Sequence, residues 1–270
     1  MVNIESDNID WKNFLLPYEQ MVNELIVKFE NIARSFEYSG EPSPIEHVYG
    51  RVKKASSILE KAKRKNIALK DLSRKVGDIG GIRLICRFVE DIDRIIYIIR
   101  SHDDLEIVKE LDYVQNKKPS GYRSYHIKIK YKLYTMSGPK ELFCEIQIRT
   151  LAMNFWATIE HSLRYKYKDN MPESIMDRLI SSAEAAFKLD QEMSTIRDEI
   201  LEVQRYQIVK NELVDQSMEK LDELEGSMET EKVNDLRNEL HELLAEGDLF
   251  KIQEFYRRLR ITRKIFKLEQ

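Results

Sequence analysis

Apolar residues early in the chain fall at Trp11, Phe14, Leu15, Tyr18, Met21, Val22, Leu25 and Phe29. That three-and-four spacing lays one stripe along a helix over about residues 11–35. The glycine and two prolines of "YSGEPSP" (38–44) stop it. "IEHVYGRVKKASSILEKAKRK" predicts a second helix running to about residue 65, and a short third is expected near 69–75. The period then changes to two. In "IGGIRLICRF", Ile82, Leu84, Cys86 and Phe88 oppose Arg83 and Arg87. "DIDRIIYIIRSH" reads as a helix and "LEIVKELDYV" as a strand before the turn "NKKPSGY". "SYHIKIKYKLY" sets Ile127, Ile129, Tyr131 and Leu133 against His126, Lys128, Lys130 and Lys132. "SGPK" predicts the hairpin turn into the next strand, where Leu142, Cys144, Ile146 and Ile148 alternate with Phe143, Glu145, Gln147 and Arg149.

That last strand leads into the bulky helix "LAMNFWATIEH", and from Pro172 the chain is helix-forming, with breaks at "EGSMETE" (225–231) and "AEGD" (245–248). Leu213, Leu221, Leu224, Leu236, Leu240, Leu243 and Leu244 predict amphipathic packing there. The expected fold is α/β of the α+β kind. It has a mixed, mainly antiparallel sheet flanked by helices over residues 1–205, and an all-helical extension over 206–270.

A hydrophobic content of 42% suffices for an ordinary core, and the 34% of charged residues fits long solvent-facing helices. The net charge of −3 argues against a generally basic nucleic-acid binder but allows a local basic pocket. Charges in the tail alternate in sign, so the sequence gives no support to RNA contact. Cys86 and Cys144 lie on apolar strand faces and lack a CxxC partner, as expected of buried thiols in a reducing compartment. "MVNIESDNID" lacks a secretion-signal profile, and no apolar run reaches spanning length. A soluble, cytoplasmic protein is expected.

Three polar clusters carry candidate chemistry. "GRVKKASSILEKAKRK" holds Arg51, Lys53, Ser57, Lys61, Arg64 and Lys65. Positions 53, 57 and 61 would share one helical face, which suits a polyphosphate, although in isolation a solvated basic face is the stronger reading. Asp78, before the strand of "GDIGGIRLICR", can offer oxygen to a Mg²⁺ shared with phosphates, or cap a turn. Arg83 can stack on a base or bridge phosphates. In the third cluster Tyr122 offers a flat ring, and His126 begins a strand that brings it toward Glu145. Glu145 can hold metal or accept a proton; its simpler reading is a surface residue paired with Arg149.

In order and spacing, "GRVK…SILEK", "DIGGIRLIC", "GYRSYH" and "EIQIRT…MNFWATIEH" resemble the synthetase domain of the RelA/SpoT family, and within it the stand-alone small alarmone synthetases of RelQ type, over about residues 11–200. The resemblance implies an ATP:GTP/GDP 3′-pyrophosphotransferase on a nucleotidyltransferase-like sheet. Arg51 and Arg83 would sandwich adenine; Lys53, Ser57 and Lys61 would grip the ATP phosphates with Arg64 nearby. Asp78 and Glu145 would hold Mg²⁺, Tyr122 would stack on guanine, and Asn154 would read its edge. Lys118, His126 and Gln147 would place the acceptor's ribose and phosphates. A homotetramer is also implied. Leu111 stands where relatives commonly carry a cation, which predicts a weaker bias toward GTP over GDP and GMP. Ile26 and Glu30 replace basic residues of product-activated relatives, which predicts weak activation. His102-Asp103 reads as a loop cap rather than half of a hydrolase metal motif. A toxin-like pyrophosphokinase acting on adenosine nucleotides or tRNA, and a silent nucleotide-binding regulator, are the competing functions.

Overall fold

The computed structural model describes residues 9–167, 171–225 and 228–268. Helix α1 (Trp11–Ser39) starts at Asp10, whose carboxylate accepts from the Asn13 amide at 3.1 Å, and ends at Gly40 in the left-handed conformation. It therefore runs four residues beyond the expected end. Strand β1 (His47–Val52) follows, then α2 (Ala55–Arg64), a 3₁₀ turn at Leu69–Asp71 with α3 (Leu72–Lys75), and β2 (Gly80–Cys86). Next come α4 (Val89–Arg100), β3 (Glu106–Asp112), β4 (Tyr125–Thr135), β5 (Gly138–Thr150) and α5 (Leu151–Lys166).

The strands form one sheet in the order β1-β2-β5-β4-β3. Only the β2–β5 pair is parallel, so the sheet is mixed and mainly antiparallel as expected. The apolar alternation becomes its inner face. Ile82, Ile146 and Ile127 lie side by side across β2, β5 and β4, and join Tyr18, Met21, Leu25 and Phe29 of α1 and Ile92, Ile95 and Ile99 of α4 in one buried cluster. Both cysteines are free and buried in it, and burial pushes both thiols up in pKa.

Two local expectations are corrected. Residues 47–52 form a strand rather than the start of the second helix. "HVYGRV" carries β-branched and aromatic residues around a glycine, and pairing with β2 overrides the helical run that follows. Gly50 also admits α1 to the sheet, since a Cβ there would lie 2.5 Å from Val22 Cγ1. Lys53 consequently precedes α2 rather than sharing its face with Ser57 and Lys61. The second correction is the hairpin: Thr135 pairs with Gly138, so Met136 and Ser137 form the turn instead of "SGPK".

The chain divides after Ser194 into two compact units. Helix α6 (Glu173–Leu224) begins in the first and continues into the second, which also holds α7 (Thr230–Glu246) and α8 (Leu249–Leu268). Leu221, Leu224, Val233, Leu240, Phe255 and Leu259 bury together there, with Leu236, Leu243 and Leu244 against them. Among the described residues, no helix is long and apolar enough to cross a membrane.

Candidate active site

The outer face of the sheet is built in rows. Across β1, β2, β5, β4 and β3, one row reads Arg51, Gly81, Glu145, Lys128 and Lys109. Its neighbour reads Tyr49, Arg83, Gln147, His126 and Leu111. Period-two alternation sends these side chains away from the core together. The strand order then unites residues nearly a hundred positions apart, from Tyr49 to Gln147.

Asp78 lies in the turn before β2. A backbone hydrogen bond from Lys53 N to Ile79 O, 2.8 Å, ties the end of β1 to that turn. The Lys53 ammonium meets Asp78 Oδ2, and Lys61 Nζ from α2 reaches the same oxygen at 2.6 Å. Burial would raise the Asp78 pKa, but these two donors outweigh it and hold the carboxyl below its usual range. The Lys53 pKa falls, chiefly through its own burial, although Asp78 opposes the shift. Asp78 Oδ1 is buried without a hydrogen-bond partner among the described residues. An orphaned carboxylate oxygen beside a second carboxylate suits a hard cation that takes its remaining ligands from phosphate and water. The residues therefore fit Mg²⁺.

Glu145 is half-buried. Gln147 Nε2 donates to its Oε2 at 2.8 Å, and His126 Nδ1 lies 3.5 Å from Oε1. Burial pushes this carboxyl up, and the contacts with His126 and Gln147 overcome it, leaving the pKa lowered. The approach of His126 to Glu145 across the hairpin is as the sequence predicted. Pairing of Glu145 with Arg149 is not found. Arg149 is 5% exposed and donates to Tyr122 Oη at 2.6 Å and Gln147 Oε1 at 2.9 Å. Tyr122 Oη is 2.8 Å from His126 Nε2. A tyrosine hydroxyl that accepts from Arg149 and donates to Nε2 leaves the imidazole proton on Nδ1, facing Glu145. The Lys118 ammonium lies 4.5 Å and 4.7 Å from the ring centres of Tyr113 and Tyr122.

At the β1–β2 end, Tyr49, Arg51 and Arg83 line a cavity of about 270 Å³ with Asp78 and Glu145. Burial, followed by the charges of Arg149 and Arg51, lowers the Arg83 pKa to about 10. A larger cavity of about 670 Å³ runs from Arg51 and Arg83 past both carboxylates to Lys118, Tyr122 and the His161 end of α5. The carboxylates and the Tyr122 ring therefore share one space. Asn154 on α5 meets Arg83 at 3.4 Å, bringing a residue assigned to guanine beside one assigned to adenine. Ser57 and Arg64 are exposed on α2, away from the cavity linings. Ile26 packs over Gly50, and Glu30 lies 3.9 Å from Arg34. His102 Nδ1 sits 2.7 Å from Ile98 O at the end of α4, a cap as expected.

Sequence reasoning marked Arg149 as outward-facing but gave it, like Lys128 and Tyr113, no role in the site. The alternation that exposed Glu145 and Gln147 marked Arg149 equally, but only the fold reveals its burial against Tyr122. The helix α6 was also passed over as a support for the site. Glu184 receives Lys117 at 2.7 Å, Phe187 lies 3.8 Å beneath the Arg123 guanidinium, and Trp156 Nε1 donates to Leu179 O at 3.0 Å. These contacts hold the Tyr122 turn and α5 from outside.

Comparison with known proteins agrees with this geometry. A family described as the region found in RelA / SpoT proteins matches residues 50–170, from β1 through α5. GTP pyrophosphokinase YjbM of Bacillus subtilis is 51% identical over 198 residues, covering 73% of this chain and 93% of the relative. The chain belongs to the RelA/SpoT family. A second Bacillus subtilis member, GTP pyrophosphokinase YwaC, is 40% identical over 193 residues, 71% of this chain and 92% of its own. Small alarmone synthetases are among the solved structures that it resembles. Small alarmone synthetase 1 from Bacillus subtilis bound to its product pppGpp superposes with a TM-score of 0.68 at 52% identity, over 70% of this chain and 97% of that one. The same enzyme bound to AMPCPP gives 0.64 at 48% identity, over 71% and 98%.

Proposed function

We infer that this protein is a GTP pyrophosphokinase that moves the β,γ-pyrophosphate of ATP to the 3′-oxygen of GTP or GDP, forming pppGpp or ppGpp and AMP. The observation that carries this reading is the single cavity in which Asp78 and Glu145 lie between the Arg51–Arg83 end and the Tyr122 ring. ATP enters with adenine between Arg51 and Arg83. Lys53 and Lys61, already gathered at Asp78, meet its phosphates, and the resemblance assigns Ser57 and Arg64 to the same chain of phosphates. The guanine stacks on Tyr122 with Asn154 at its edge. Lys118, His126 and Gln147 orient the ribose and acceptor phosphates.

The acceptor's 3′-oxygen attacks the β-phosphorus in line. A new O–Pβ bond forms, the bond between Pβ and the α,β-bridging oxygen breaks, and AMP leaves with that oxygen. Glu145, ionised at neutral pH, takes the hydroxyl proton, and the Nδ1–H of His126 keeps its carboxylate aimed. Mg²⁺ held by Asp78 and Glu145 would neutralise charge gathering on the transferred phosphates. Positioning and fixed charge supply most of such a rate enhancement. We assign the reaction to a cytoplasmic homotetramer, with the apolar stripes of its terminal helices as the means of assembly.

Incubation with γ-labelled ATP and separate GTP, GDP, GMP or tRNA acceptors tests the reading. Label should pass to GTP and GDP and not to tRNA. Glu145→Gln should lose product formation by at least about 100-fold, the lower end of a general base's contribution, while ATP binding by calorimetry stays near wild type. Transfer to tRNA alone, or full turnover by the variant, would overturn the assignment.

A further inference from the structure

Asp78 and Glu145 fit a divalent cation, yet neither carboxylate is open to one. Val52 pairs with Gly80 at the end of the β1–β2 ladder, so Lys53 and Asp78 leave the sheet close together. Lys61 joins them from the last turn of α2. Both ammoniums meet the same oxygen, Asp78 Oδ2, Lys61 at 2.6 Å. Two charge-assisted donors fill the lone pairs of that oxygen. Oδ1 is buried, so turning it toward a cation would break both ion pairs. The oxygens of Glu145 are engaged as well, Oε2 by Gln147 and Oε1 by His126.

The side chains of Lys53, Lys61 and Asp78 are 19%, 20% and 17% exposed. A carboxylate so enclosed needs counter-charge whenever metal is absent, and the two lysines supply it. Arg51 and Arg83 stand nearby, so cations outnumber the two carboxylates around the cavity. A divalent ion entering alone would add charge to that excess and strand two ammoniums without partners. The phosphates of ATP alter both terms. They offer oxygens to the ammoniums and turn the local balance negative.

We propose that Lys53 and Lys61 form a latch on the metal site. Without nucleotide their ammoniums hold Asp78 and keep a divalent cation out; the triphosphate of ATP draws them away and frees the carboxylate. The proposal deepens the pyrophosphokinase reading and rests on it for the identity of the nucleotide. It gives the two lysines a role before the chemistry, beside their contact with phosphate. It also couples the two ligands, because ATP strengthens metal binding and metal strengthens ATP binding by the same factor. An ion pair kept only for folding would show no such coupling.

Water-proton relaxation with Mn²⁺ as the probe separates metal on the protein from metal on free nucleotide. The wild type should bind Mn²⁺ alone weakly, and a non-hydrolysable ATP analogue should raise the protein-bound signal. Lys53→Met and Lys61→Met keep the aliphatic stem and remove the ammonium. Each should tighten binding of Mn²⁺ alone by about tenfold, the effect of one lost charge-assisted contact. Adding Asp78→Asn to either variant should erase the gain. Lys53 and Lys61 lie on separate segments, so misfolding of one variant leaves the other to decide. Lys128→Met is the comparison, because Lys128 feels the charge of Asp78 and Glu145 but, among the described residues, bonds to neither. Equal tightening in Lys128→Met would reduce the effect to general charge and sink the latch, as would unchanged Mn²⁺ affinity in both lysine variants. A wild type that ignores the analogue would instead reject the donor site, and with it the pyrophosphokinase reading.

Discussion

Two acids near the sheet, the half-buried Glu145 and the buried Asp190, illustrate how neighbours decide the state of a carboxyl. Burial pushes both Glu145 and Asp190 toward the neutral form. At Glu145 the contacts with His126 and Gln147 reverse the shift, so the base stays ionised across neutral pH. Among the described residues Asp190 accepts only from the Thr150 hydroxyl, at 2.6 Å; burial, aided by the repelling charge of Glu90, outweighs that bond, so its pKa rises from 3.8 to about 6. An acid with a raised folded pKa contributes stability that is fully present below 3.8 and lost as pH rises through about 6. Asp190→Asn should remove that slope. Urea denaturation should find the variant gaining on the wild type by about 1–2 kcal/mol between pH 4.5 and 7.5; a constant difference would show that Asp190 does not titrate in this range. Arg149 shows the limit of reading residues singly, because an outward strand position predicted a surface cation and the fold buried it on a tyrosine.

Secondary-structure elements meet the site through close approaches. Gly121 has a φ of +86°, and a Cβ there would lie 2.7 Å from Ala183 Cβ on α6. Both left-handed strain and the clash act on the turn that carries Lys118 and Tyr122. Gly121→Ala should cost about 1–3 kcal/mol, read from the urea midpoint, and should raise KM for the guanosine acceptor more than KM for ATP. Equal changes in the two KM values would show that the turn does not set the acceptor side. At this scale the sequence was legible wherever periodicity was long. The alternation of 125–134 and 142–149 gave the hairpin, and leucine spacing gave the tail helices. It was least legible in 45–54, where a six-residue edge strand abuts a strongly helical run and only its partner β2 determines the outcome.

The whole molecule joins the synthetase fold to a helical unit with its own buried cluster. We expect this tail to add contacts between subunits. A chain ending at residue 205 should retain pyrophosphate transfer and assemble into a smaller particle, measured by sedimentation or light scattering. An unchanged particle mass would remove assembly as the tail's role.

The sequence by itself determined the strand and helix periods, the acid, amide and guanidinium on one side of β5, and the motif order that marks the family. Those features are local or linear, so side-chain alternation and spacing express them directly. Only tertiary structure decided that Arg51, Glu145 and Lys109 stand in one row. It also decided that Arg149 is buried against Tyr122, and that Lys53 and Lys61 meet on one oxygen of Asp78. Strand order and parallel pairing set those distances, and neither is written in the periodicity of a single segment.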